Sequence, residues 1–189
     1  NYAYIDNISE ARKAMVTEFG ATLFTVAKDV KIQVEFNPAY VQAYRLVGYE
    51  NRLLEAEDFN NDAKIGGDMG VGHTVTAIYE IIPVGVKSSI IGTVDPLKYQ
   101  NNDKPNLGSK NGELATVKFR YKDPKSDKSE LQQTVVKDAT KAFDSISEDF
   151  RFATAVAEFG MLLRNSDYKQ NSSFSSLIAR AKAAKGKND

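Results

Sequence analysis

The apolar residues change period twice along this chain. Ala11, Ala14, Met15, Phe19, Leu23 and Val26 recur at helical spacing, which predicts a helix over 9–27, capped by Ser9. Gly20 weakens its middle by about 1 kcal/mol relative to Ala. The period then falls to two. Ile32, Val34 and Phe36 alternate with Lys31, Gln33 and Glu35, as in a strand with its apolar set buried and its polar set wet. From Asp138 the helical spacing returns. A helix, a block of strands and a block of helices make an α+β pattern. Short strands with turn signals point further to an antiparallel β-sandwich-like domain flanked by an N-terminal helix and C-terminal helices.

Within the block, Asn37-Pro38 turns the chain and 40–49 is a second strand, rich in Tyr and Val. Residues 50–72 read as a polar, glycine-containing connection. The β-branched run 73–84 is the best strand, 88–94 a short one, and 95–112 a Pro/Asn/Gly loop. Residues 113–121 alternate, 123–128 turn, and 131–136 return. Ser147 before Glu148-Asp149 starts a helix with a hydroxyl cap and acids at the positive end of the dipole. Phe152, Val156, Phe159 and Leu163 form one stripe, which with Phe150 is assigned to the core, between layers. Phe174, Leu177, Ile178 and Ala181 mark a last helix, and 182–189 a charged, frayed tail.

Composition narrows the function. In 189 residues, 25 basic and 25 acidic side chains leave no net charge, against the basic excess of a nucleic-acid binder. The chain has no Cys, which removes disulfides, thiolate zinc sites and a Cys nucleophile. One His rules out multi-His metal sites. No apolar run approaches the roughly 20 residues that span a bilayer. The opening Asn1-Tyr2-Ala3-Tyr4-Ile5 reads as the middle of a strand, so a piece of a longer protein is expected.

Long stretches carry a family resemblance: 24–38 (FTVAKDVKIQVEFNP), 44–52 (YRLVGYENR), 72–80 (GHTVTAIYE), and Phe150-Arg151-Phe152-Ala153 through Leu163-Arg164. Together they resemble the C-terminal domain of unknown function that follows a von Willebrand factor type A domain in exported bacterial proteins. The resemblance implies that 1–28 is the last strand and helix of the type A domain, 29–137 a β-rich domain and 138–189 a helical part packed on it. The adhesion motif Asp-x-Ser-x-Ser is missing, since Asp144-Ser145-Ile146-Ser147 has the wrong spacing, so metal-dependent adhesion does not carry over. Also implied is an exported, envelope-facing location with lipid anchoring through the parent chain. The expected partners are the parent's own type A domain and a protein of unknown identity.

Five features are candidate sites. Asp58, Asn60 and Asp62 place oxygens at positions 1, 3 and 5 of a calcium loop, with Asp68 as a late ligand. The pattern fails at Ala63, where the turn needs Gly, and at Met69, where it needs Glu, which favours a solvated loop and no cofactor. Gly66-Gly67-Asp68-Met69-Gly70-Val71-Gly72 lacks the following Lys-Ser/Thr and helix of a phosphate cradle. His73 is the one base a hydrolase would use, but no nucleophile-elbow motif accompanies it. Tyr44, Arg45, Glu50 and Arg52 combine side chains that interfaces favour, against ordinary cross-strand pairing. The aromatic set of the 148–163 helix is read as core. The expectation is a non-catalytic interaction or structural module, with a calcium-stabilised adhesion module and a hydrolase as rivals.

Overall fold

A computed structural model describes residues 5–17, 19, 24–49, 53–88 and 112–186. The strand expected over 2–5 lies outside the described residues except for Ile5, and that over 88–94 except for Ser88. The first helix, α1 (Ile8–Arg12), continues into a π-helical turn over Lys13–Thr17. Its cap is Asn7 rather than Ser9: Asn7 Oδ1 accepts the Glu10 N–H at 2.8 Å. The expected helix over 9–27 is also corrected at its far end. Val26 and Ala27 lie in β1 (Thr25–Phe36), where β-branched residues meet a pairing partner and strand wins over helical spacing.

The fold is α+β, and its chain forms two compact units. The first gathers Asn1–Glu35, Leu54–Val75 and Ala115–Val136. Its sheet adds β3 (Gly67–Gly70), β5 (Glu113–Lys122) and β6 (Ser129–Lys137), in the order β3-β1-β5-β6. β3 runs antiparallel to β1, pairing Thr25 with Gly70 and Val30 with Gly67, and the register slips twice between those pairs. Asp29 sits in the slip at φ 52°, a left-handed conformation that Asp tolerates better than most residues. This bulge upsets the expected alternation. Lys31 is only 2 % exposed, while Ile32 is 51 % exposed. The assignment of Lys31 to the wet face and Ile32 to the buried face is therefore overturned.

The expected irregular connection over 50–72 is partly ordered. Ala56–Asn60 form a 3-10 turn that buries Phe59, and 67–70 are β3 itself. Gly66 makes the return possible, because a Cβ there would lie 2.3 Å from the Val30 carbonyl oxygen. The strand expected over 73–84 is shorter. Residues 73–77 are exposed and lie outside any strand, and β4 covers Ile78–Pro83.

The second unit gathers Phe36–Leu53, Thr76–Leu114 and Lys137–Asp189. β2 (Val41–Val47) pairs antiparallel with β4 as a ribbon. The Asn37-Pro38 turn holds because Asn37 Oδ1 accepts the Ala39 N–H at 3.0 Å, while Asn37 O accepts from Tyr40. Helix α2 (Glu148–Leu163) begins where its sequence says. Ser147 accepts the Phe150 N–H at 3.3 Å, and Glu148 and Asp149 fill the first turn. Helix α3 (Phe174–Ala184) is set by a reciprocal Ser173/Ser176 capping box, runs past the predicted start of the frayed tail, and buries Leu177 and Ala184. The core assignment of the α2 aromatics is overturned. Phe150, Phe152 and Phe159 are all exposed, and within α2 only Ala155 is buried. The small residue fits where the helix packs, so the larger side chains of the stripe are left outside.

Candidate functional site

The ribbon register sets Arg45 directly across from Glu80, and their side chains form an ion pair. The guanidinium also lies 4.1 Å over the ring of Tyr168, from the 3-10 turn Asp167–Lys169 that follows α2. Nη2 of Arg45 is 3.4 Å from the sulfur of Met161, and its Nε is buried without a hydrogen-bond partner. A planar cation stacked on an aromatic face and paired with a carboxylate is held from two sides. Tyr44 points elsewhere: it packs on Phe36 with ring centroids 4.5 Å apart and is largely exposed. So the structure does not bring Tyr44 and Arg45 to one surface, as neighbours on a strand must diverge. Glu50 and Arg52 lie outside the described residues.

Beside Arg45 opens a cleft of about 620 Å³, lined among others by Glu80, Glu158, Tyr168, Lys169, Asn171 and Arg180. Arg180 of α3 holds both carboxylate oxygens of Glu158 of α2. The two acids of the cleft are thus each neutralised by an arginine. Tyr79, another lining residue, has its phenol pushed up from the ordinary range by burial and then by Tyr44. The lining holds no His. The wall combines paired charges, hydroxyls, amides and aromatic faces. Glu80, Tyr168 and the Glu158–Arg180 pair were not legible as site residues. The cross-strand register is the signal that joins Glu80 to Arg45.

The acidic residues of the calcium pattern lie in the first unit, where each has protein partners. Asp58 pairs with Lys64 at 3.7 Å. Asn60 accepts from Arg120 at 3.3 Å. Asp62 accepts from Arg120 at 2.9 Å and from the Ser129 hydroxyl at 2.7 Å; these two hydrogen bonds hold its carboxyl below the usual range. Asp68 accepts the Asp29 N–H at 3.1 Å. Among the described residues, no group of three or more His, Asp or Glu side chains is placed to hold a metal ion. His73 is exposed, and its backbone N–H closes a turn onto Gly70 at 3.1 Å.

At the centre of this unit is a charged interior that sequence reading missed. Asp29 Oδ1 accepts the Gly66 N–H at 2.6 Å and lies 3.5 Å from Lys31 Nζ. Asp29 Oδ2 meets Lys122 Nζ at 3.0 Å, and Lys31 donates to the Asn61 carbonyl at 2.7 Å. Burial pulls the Asp29 carboxyl up, but the Gly66 N–H, the Lys122 hydrogen bond and the two lysine charges outweigh it, leaving it below the usual range. The hydrogen bond to Asp29, followed by the charges of Asp29 and Asp62, carries Lys122 above its ordinary value despite desolvation. The only sequence signal was an acid and a base two apart on one strand, at Asp29 and Lys31.

Two comparisons with known proteins find relatives. Residues 21–189 match the family model described as "Uncharacterized protein YfbK, C-terminal". The chain is 43% identical over 186 residues to the uncharacterized protein YfbK of Escherichia coli (strain K12), covering 98% of this chain and 31% of that protein. It thus spans about a third of the length of the curated relative it matches. No solved structure matches the chain.

Proposed function

From the premise that the chain belongs to the YfbK C-terminal domain family, we propose that it is a non-catalytic interaction or structural module. It supports a von Willebrand factor type A domain of its parent chain at the bacterial cell envelope. The observation that carries this reading is the pairing of Glu80 with Arg45 and of Glu158 with Arg180 around an open cleft. With both acids neutralised and the wall residue Tyr168 stacked under Arg45, the cleft offers shape, aromatic surface and hydrogen bonds to a bound surface. The resemblance in 24–38, 44–52 and 72–80 supports the type A context, the exported location and the lipid anchor of the parent. A relative that is far longer than this chain supports the role of an appended module.

The test is direct binding between the purified chain and the purified preceding portion of its parent, read by calorimetry. Binding is expected, and Tyr168→Ala should weaken it about tenfold or more, as at an interface anchor. Absence of binding at high concentration, together with turnover of a small-molecule ester or peptide by the isolated chain, would sink the reading.

A further inference from the structure

The stripe on α2 that the fold leaves outside has an order of its own. Phe152, Val156, Phe159 and Leu163 are 42, 55, 45 and 64% exposed. Their spacing of four, three and four is the apolar seam of a heptad repeat, in the order d, a, d, a. Of the positions beside the seam, Ala155 is buried by the fold itself, and Ala153, Gly160 and Leu162 are uncharged. A seam facing water is normally flanked by charge there. A Cβ built on Gly160 would meet nothing within 4 Å, so this flank has room for a close neighbour. The apolar surface extends onto α3 through the Phe159–Phe174 ring contact, at 6.4 Å between centroids, and on to exposed Ile178.

The seam is also complementary to itself. A second α2 laid antiparallel sets Phe152 against Leu163 and Val156 against Phe159, then repeats both pairs through the two-fold axis. Each layer joins an aromatic ring to an aliphatic side chain. In an antiparallel pair an a position faces a d position, and this spacing delivers that match. A two-fold interface requires the same reciprocity, residue i on j and j on i. With six side chains near half exposure, burial on both copies comes to about 1,000 Å², the lower bound of a specific interface. A chain without net charge adds no long-range repulsion between copies.

We infer that α2 is a homodimerisation helix, pairing antiparallel with α2 of a second copy of this chain. The inference goes beyond the interaction reading above, and it uses a surface separate from the Arg45 cleft.

Sedimentation equilibrium over about a hundredfold range of concentration tests it, because self-association is concentration-dependent. A monomer–dimer equilibrium is expected, with Val156→Glu weakening the dimer about tenfold or more. The natural absence of Cys allows a geometric test. Under oxidation, the double variant Phe152→Cys, Leu163→Cys should give a covalent dimer, while Phe152→Cys alone should give none. In an antiparallel pair the two 152 positions lie about 16 Å apart along the axis. A chain that stays monomeric throughout, or a dimer untouched by Val156→Glu, overturns the proposal. So does a covalent dimer from Phe152→Cys alone, which would mean parallel helices. Should Val156→Glu lose its helical melt, the cross-linking pair decides. Dimerisation with no binding of the preceding parent portion would strike the proposed function and leave this inference standing.

Discussion

The two units differ in what they bury. The first puts charge inside: Asp29 and Lys31 are buried in a four-stranded sheet and tied to Lys122, Gly66 and Asn61. The second keeps its ion pairs at a cleft and leaves large apolar side chains on α2 and α3 outside. A buried ion pair adds little over well-packed apolar residues, yet breaking it is costly, since the surviving charge is stranded. An exposed apolar ridge adds nothing to the fold of a lone chain and acquires value when something covers it. Buried charge therefore sets the first unit apart, while exposed apolar side chains are common to both, as Ile8, Ile32 and Ile65 of the first show.

The sharpest way to break this contrast is Asp29→Ala. It strands the buried Lys31 ammonium and asks Ala to hold φ 52°, so a loss of about 3–5 kcal/mol is expected from urea denaturation followed by circular dichroism. The pH profile of the same unit should show the network from both sides. Asp29 and Asp62 have folded-state values below the usual carboxylate range, so their contribution is present above the unfolded value. It is lost as the pH falls through the folded one. Lys122 is raised, so its contribution holds below the unfolded value and is lost only as the pH climbs through the raised one. Stability should therefore fall at the acid end below the ordinary carboxylate range and at the alkaline end above the ordinary lysine range. A melt flat through both ends would contradict the charged interior.

Leu177→Ala sets the comparison value for the second unit. Leu177 is 5% exposed, and truncating it should cost about 2–4 kcal/mol. If that loss exceeds the Asp29→Ala loss, the ranking of the two interiors is reversed. Gly66→Ala comes next, at about 1–3 kcal/mol, because its new methyl must push the Val30 carbonyl out of β1. Smallest of all, Val156→Ser should shift the stability of the monomer by no more than about 0.5 kcal/mol. A larger loss, measured at concentrations where the chain is monomeric, would show that the ridge belongs to the fold.

How much of this was legible follows the range of the interactions. The start of α2 was legible because Ser147 and the acids after it act within one turn. So was the strand over 113–121, which β5 matches to within a residue, although its burial does not alternate. The place of Lys31 was not. A bulge at Asp29 upsets side-chain parity, and the buried ammonium is held by Asp29 and the distant Asn61 carbonyl, with Asp29 in turn held by Gly66 and Lys122. The α2 stripe failed for a different reason: helical spacing reveals one apolar face but not whether this chain or another body covers it. At the candidate site, Arg45 was singled out from sequence, while Glu80 and Tyr168 reach it only through strand register and the turn after α2.

The division of the chain into Asn1–Glu35, Leu54–Val75 and Ala115–Val136 against the remainder has a consequence in time. Each unit is stitched from three separated stretches. During synthesis the first sheet cannot close until β5 and β6 have left the ribosome, by which point the β2–β4 ribbon is out but still lacks the helices that follow it. The first unit is complete at Val136 while the second still waits for Lys137–Asp189, and most of the strand pairings span long loops. Such a topology folds slowly for its size. It also means that no cut of the gene yields either half as one uninterrupted piece.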